Sequence, residues 1–255
     1  MHTFYNLFGL TLPSYGSCIA LGVILSLLMI LLIMKKNGDS IDDFLLMLAY
    51  ALIGALAGSK GLFLIISHNE IQWDRLFDLS YLNLVLTQGF VFYGGLVGGL
   101  VMAFLSGKFH KFNSLYYIRK YVFIVPFAHA FGRIGCFMAG CCYGREWHGP
   151  CAVVFPEGSL APGGVPLFPT QLTEAVLLFA IFLILIILSL KFRSPYTVEC
   201  YLLFYGVIRF ILEFFRGDEI RGHYLALSTS QWVAIAMVLC ALISVVIRSR
   251  KKSKA

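Results

Sequence analysis

The chain has 255 residues, of which 59% are hydrophobic and only 13% charged, with a formal net charge of +7 and a mean hydropathy of +0.84. Soluble domains carry about 25% charged residues, so this composition excludes a soluble enzyme, a disordered chain and a nucleic-acid binder with a basic aqueous groove. A hydrocarbon slab about 30 Å thick takes about 20 apolar residues per helix, and the apolar surplus is enough for about six to eight crossings.

Seven spans are expected, at 15–34, 44–66, 86–106, 121–140, 170–190, 198–215 and 230–248, separated by charged or turn-forming residues such as Lys35 to Asp39, His68 to Asp78 and Arg216 to Gly222. The fold class is therefore an all-α integral membrane bundle of seven helices, one domain over 1–255. The first span is not a cleaved signal peptide: no Lys or Arg precedes it, and Lys35 and Lys36 follow it. Basic residues are divided unequally between the loops. One side receives thirteen (Lys35, Lys36, Lys108, Lys111, Arg119, Lys120, Lys191, Arg193, Arg248, Arg250, Lys251, Lys252 and Lys254), and the other receives Arg75, Arg145, Arg216 and Arg221. That bias puts the N-terminus outside and the C-terminus in the cytoplasm. The basic tail reads as an anchor to anionic lipid, not as a nucleic-acid site.

Three cations remain inside the spans: Lys60, Arg133 and Arg209. A cation at the bilayer centre costs about 2.5–3.5 kcal/mol on insertion scales, so such residues face polar cavities, and three on separate helices are expected to converge on one site. In span three, Tyr93-Gly94-Gly95 leads into Gly98-Gly99, small-residue spacing that suits close helix packing. Tyr93 reads as a hydrogen-bond donor or a member of the interfacial aromatic belt. Span four carries His129, Arg133 and Cys136 on one helical face, with Gly132, Gly135 and Gly140 allowing close approach.

The 141–169 loop, rich in proline and glycine, reads as a small irregular extracytoplasmic head over the outer mouth. At the start of span five, Thr170 reads as a helix cap; a cap does not account for Glu174 entering the membrane beside Gln171. In span six, Arg209, Glu213 and Arg216 fall at i, i+4 and i+7. Arg209 and Glu213 can neutralise each other, and the charge left on Arg216 asks for an anion, for which a guanidinium fork suits phosphate. The seven cysteines show no CxxC spacing and so no zinc pattern; Cys151 is a disulfide candidate with Cys141 or Cys142.

Taken together, these motifs resemble the prolipoprotein diacylglyceryl transferase family. The likeness runs through Tyr15-Gly16, Gly58-Ser59-Lys60-Gly61, Gly94-Gly95, Gly132-Arg133-x-Gly135, Pro169-Thr170-Gln171-Leu172 and the Arg209 to Arg216 run. The resemblance implies a multi-pass bacterial cell-membrane enzyme that moves the diacylglyceryl group of phosphatidylglycerol to the lipobox cysteine thiol of a prolipoprotein signal peptide. A thioether forms and glycerol phosphate leaves. It implies no cofactor or metal and no nucleic-acid partner. Carried over by position, Arg133 and Arg209 clamp the lipid phosphate, Glu213 orients Arg209, and Tyr15 and Gln171 line the cavity with Lys60, Gly94 and Gly95.

The departures mark a divergent member. The family's usual histidine before the glycine pair is Tyr93 here, and the usual Gly-Arg-x-Gly-Asn-Phe-x-Asn-Gly-Glu run has Cys136, Ala139 and Cys141 in place of its two asparagines and glutamate. The usual span-two arginine is Lys60, which keeps the charge and loses the fork. Phosphate binding is thus retained while the group that deprotonates the thiol is altered; His129 is the expected base, with Tyr93 next. Two alternatives stand beside this reading: a related transferase with another acceptor, and a non-enzymatic lipid or anion carrier.

Overall fold

A computed structural model describes residues 4–7, 10–75, 77–218 and 223–252. Arg221 and Lys254, which entered the loop-charge comparison, lie outside them. The chain forms two compact units: residues 1–33 with 118–255, and residues 34–117.

The element order is β1 (Phe4–Leu7), β2 (Leu10–Pro13), α1 (Ser14–Asn37), α2 (Ile41–Ile66), α3 (Leu79–Thr87), α4 (Phe92–His110), α5 (Ser114–Tyr121), α6 (Ile124–Ala139), β3 (Val153–Val154), β4 (Pro166–Leu167), α7 (Thr170–Ile186), α8 (Thr197–Glu213), β5 (His223–Tyr224), β6 (Leu227–Ser228) and α9 (Thr229–Lys252). Each strand pair is an antiparallel hairpin. A π-helical turn, Ile187–Lys191, continues α7.

Among the described residues, five helices are long and apolar enough to cross a membrane, and a sixth span arises if α5 and α6, bent by 56° where they meet, count as one. Large apolar side chains on them face outward, for example Leu32 at 69% and Ile65 at 73% exposure. A surface of that kind needs lipid or another apolar cover. At 17 residues, α8 extends about 26 Å at 1.5 Å per residue, a little short of a hydrocarbon core about 30 Å thick. Two expected boundaries change. Span three is interrupted: α3 ends at Thr87 and α4 begins at Phe92, with Gly89 in the left-handed region (φ 71°) at the break. Span four is broken at residues 122–123, just before Pro126, whose missing N–H is tolerated only in a first helical turn.

In the 34–117 unit, α2 packs on α4 through glycine. A Cβ at Gly58 would sit 2.3 Å from the Gly94 carbonyl oxygen, and one at Gly98 would sit 2.2 Å from that of Gly54. No side chain fits there, so the two backbones touch directly.

In the other unit, α6, α7, α8 and α9 pack in sequence order. Helix α7 is the most enclosed: Thr170, Gln171, Glu174, Ala175, Leu178, Ile181 and Leu185 are buried along it. Ala130 of α6, with Ala175 and Leu178, forms a core closed by Ile134, Phe179 and Tyr205. Residues 140–169 fold over a separate core of Phe155, Ala161 and Leu167, flanked by Phe137 and Tyr143.

Candidate active site

The polar centre lies where α6, α7 and α8 meet. Arg133 Nη2 is 3.0 Å from Glu174 Oε1, Arg209 Nη2 is 2.6 Å from Glu213 Oε2, and Arg209 Nη1 is 4.0 Å from Glu174 Oε2. Glu174, 2% exposed, therefore stands between arginines of two different helices. Tyr205 donates to its Oε1 (3.1 Å), Ser228 donates to Glu213 (2.8 Å), and Arg209 donates to Ser230 (2.9 Å).

The inventory is two guanidinium groups and two carboxylates, formally neutral. Hydrogen bonding is incomplete nonetheless: Arg133 Nε and Arg209 Nη1 are buried without a hydrogen-bond partner. Buried donors are nearly always paired, and a charged one left unpaired costs more than a neutral one. Two such donors from different helices beside one carboxylate form a seat for an oxyanion. Gly132, next to Arg133, has nothing within 4 Å of the place its Cβ would occupy.

Arg216 does not supply the leftover charge. Helix α8 ends at Glu213, and Arg216 turns into a two-toothed pair with Asp218, Nε to Oδ1 at 2.8 Å and Nη2 to Oδ2 at 2.5 Å. The unpaired donors belong to Arg133 and Arg209. Thr170 is likewise not the cap expected of it: its hydroxyl donates to the Cys142 carbonyl (2.8 Å), while Gln171 donates to that of Cys141 (2.7 Å).

The remaining expected residues divide between the two units. His129 lies one turn before Arg133, with its ring edge-on to Tyr205 at 5.2 Å between centroids. Tyr15 packs on α6 at Gly135, where a Cβ would meet its backbone oxygen at 3.0 Å. Lys60, Tyr93, Gly94 and Gly95 belong to the 34–117 unit. There Lys60 donates to the Val85 and Gln88 carbonyls and lies over the Phe63 and Phe90 rings, so its charge neutralises the C-terminal end of α3. Gly94 and Gly95 face Gly58 and Ala55 in the helix seam, and Tyr93 packs on Phe92.

One grouping escaped the reading of cysteine spacing. The sulfurs of Cys136, Cys141 and Cys142 lie within 4.8 Å of one another. Two backbone features bring them together. Gly140 ends α6 in the left-handed region at φ 77°, and Cys142 holds φ 60°, a conformation that costs a residue with a Cβ about 1–3 kcal/mol. The segment is tied down on both sides: Arg145 N donates to the Phe215 carbonyl at 2.9 Å and Gly217 N to that of Tyr143 at 3.1 Å. The Cys136 and Cys141 thiols, and beyond them the Arg216 guanidinium, hold the Cys142 thiol well below the ordinary thiol range against the opposing effect of burial. All seven cysteines are free, and Cys151, exposed, makes no bridge to Cys141 or Cys142.

The sequence model of one family, prolipoprotein diacylglyceryl transferase, matches residues 2–247. The chain belongs to that family. Its relatives include the phosphatidylglycerol–prolipoprotein diacylglyceryl transferase of Clostridium tetani (strain Massachusetts / E88), 35% identical over 92% of this chain and 92% of the relative. Transferase 2 of the same name from Clostridium perfringens (strain 13 / Type A) is 35% identical over 92% and 90%. The Idiomarina loihiensis enzyme of that name is 33% identical over 83% and 78%. Membership gives the Arg133–Glu174–Arg209 centre a chemical context, because a phosphodiester headgroup is the kind of anion its unpaired donors fit. Glu174 is the residue that sequence reasoning flagged without placing. The signal was present: a carboxylate inside an apolar span needs a cation, and the two nearest candidates were already identified.

Proposed function

We propose that the chain transfers the diacylglyceryl group of phosphatidylglycerol to a prolipoprotein lipobox cysteine, with Arg133 and Arg209 holding the lipid phosphate. The observation that carries this reading is the pair of buried, unpartnered guanidinium N–H groups on α6 and α8, both beside Glu174. The lipid phosphate meets the open donors of Arg133 and Arg209 while Glu174 stays between the two helices, so no buried charge is left uncompensated, which is costly in a low dielectric.

The acceptor sulfur attacks the glycerol carbon bonded to the phosphate oxygen. A carbon–sulfur bond forms, the carbon–oxygen bond breaks, and the electron pair leaves on glycerol phosphate, whose developing charge the two arginines stabilise. His129 receives the thiol proton, Glu213 positions Arg209, and Tyr15 and Gln171 line the lipid site.

The reading places the enzyme in the bacterial cytoplasmic membrane with seven spans. α8 is the seventh, supported by its packing between α7 and α9. The excess of basic loop residues on one side supports an outside N-terminus and a cytoplasmic C-terminus, which puts residues 141–169 in an extracytoplasmic head. The test is a reconstituted assay with phosphatidylglycerol labelled in its headgroup and a lipobox peptide. Release of labelled glycerol phosphate with a mass increase on the peptide is expected. Movement of intact lipid with no covalent change contradicts the proposal.

A further inference from the structure

Three thiols gathered in one place are the donor set of a metal site as well as a cysteine cluster. In a zinc–thiolate site with bonds of about 2.3 Å, sulfurs lie about 3.8–4.0 Å apart, and Cys136, Cys141 and Cys142 are already within 4.8 Å of one another. Small side-chain rotations close the difference. Cys136 is 7% exposed and fixed on α6. The two others sit on a turn whose backbone is held by Thr170 and Gln171 of α7 and strained at Cys142. A strained backbone that brings three soft ligands together is the arrangement expected of a binding site. Three thiolates and a divalent ion leave a single negative charge.

We propose that Cys136, Cys141 and Cys142 bind a thiophilic d10 cation, zinc being the probe, and that its open fourth position takes the acceptor thiol. Three protein ligands with one open position are the pattern of a catalytic zinc, whereas structural sites are closed by four. A coordinated thiol is deprotonated outright, so the metal supplies the thiolate and the displaced proton leaves to water. Cys136 follows Arg133 by three residues on one helix, about 4.5 Å along its axis. A sulfur on the metal therefore stands beside the lipid whose phosphate Arg133 holds. The metal is unchanged over the cycle: the sulfur leaves as a thioether, a weaker ligand, and the position reopens. This role rests on the transferase reading above; the metal site itself does not.

The full-length chain, purified in detergent under reducing conditions and titrated with Co(II), tests both parts. One cobalt per chain with a thiolate-to-metal charge-transfer band is expected. The band is expected to vanish in Cys142→Ser and Cys136→Ser and to persist in Cys151→Ser. A lipobox peptide is expected to shift the visible bands, and its Cys→Ser version to leave them unmoved. Free thiol at pH 7 is only about 3% thiolate, so chelation is expected to slow transfer about thirtyfold and to make its rate rise with pH up to the thiol pKa, where the loaded enzyme is flat.

Wild-type chain that binds no cobalt, or that comes from membranes with a disulfide among these three cysteines, overturns the site without reliance on any variant. Transfer at the full rate after complete chelation overturns the metal's role and leaves the transferase standing. A stoichiometric thiolate–metal site on a chain that releases no glycerol phosphate overturns the transferase reading and the role together, and leaves the site.

Discussion

Helix α8 carries two buried ionic groups, and they are built on opposite principles. Near its start, Glu199 has its charge matched: Arg248 Nη1 at 2.8 Å and Ser244 Oγ at 2.7 Å both donate to Oε1, and Arg248 also donates to the Pro195 carbonyl and covers the Tyr196 ring. About 15 Å further along, ten residues at 1.5 Å each, Arg209 belongs to a group of four charges from three helices with guanidinium donors left over. The first group joins α8 to α9, and its one unpaired atom is an acceptor, Glu199 Oε2, not a cationic donor. The second is charge-balanced and still holds unpaired guanidinium donors. A buried ion pair is weak evidence for function, since desolvation consumes much of its attraction; unpaired cationic donors on two helices, Arg133 Nε and Arg209 Nη1, are the feature that separates the second group from the first.

The sharpest way to break this contrast is to remove one cation from the open group. Arg133→Ala and Arg209→Ala are each expected to lower transfer about 10²- to 10³-fold, the loss typical of deleting a donor to a developing oxyanion, measured as glycerol phosphate released from labelled lipid. Glu174→Ala leaves the Arg133 guanidinium buried without its carboxylate and Arg209 with Glu213 alone, and is expected to destabilise the chain by about 3–5 kcal/mol. Denaturant unfolding reads it, and added phosphatidylglycerol is expected to restore more stability to this variant than to the wild type. Gly58→Ala forces a methyl group onto the Gly94 carbonyl and is expected to cost about 1–3 kcal/mol by overpacking, visible as a lower unfolding temperature. Glu199→Gln acts on the first group. Arg248, 22% exposed, can turn to headgroups, so the expected loss is about 1–2 kcal/mol with transfer within about twofold of wild type. A larger activity loss there than at Arg133 would reverse the assignment of the two groups.

The sequence made some of this visible and hid the rest for identifiable reasons. Arg133, Arg209 and Glu213 stood out because a charge in an apolar run has few places to go. Glu174 stood out for the same reason, but helix periodicity does not say which neighbouring helix its carboxylate faces. Lys60 looked like a third convergent cation; its ammonium goes instead to the Val85 and Gln88 carbonyls, acceptors that exist only because span three breaks at Gly89. The break before α6 was hidden because Pro126 inside an apolar stretch is compatible with a kink, a helix start or an unbroken span. The thiol cluster was hidden because spacing rules count residues along a chain. Here left-handed turns at Gly140 and Cys142 bring together sulfurs that no CxxC pattern marks, although three cysteines within seven residues around a glycine helix end was a usable sign.

The most direct measurement is a double-mutant cycle on phosphatidylglycerol binding, read by native mass spectrometry of wild type, Arg133→Ala, Arg209→Ala and the double variant. Two guanidinium groups holding one phosphate act as a unit, so each single variant is expected to lose nearly as much affinity as the pair together. Losses that simply add, or single variants that bind the lipid normally, contradict a shared headgroup site.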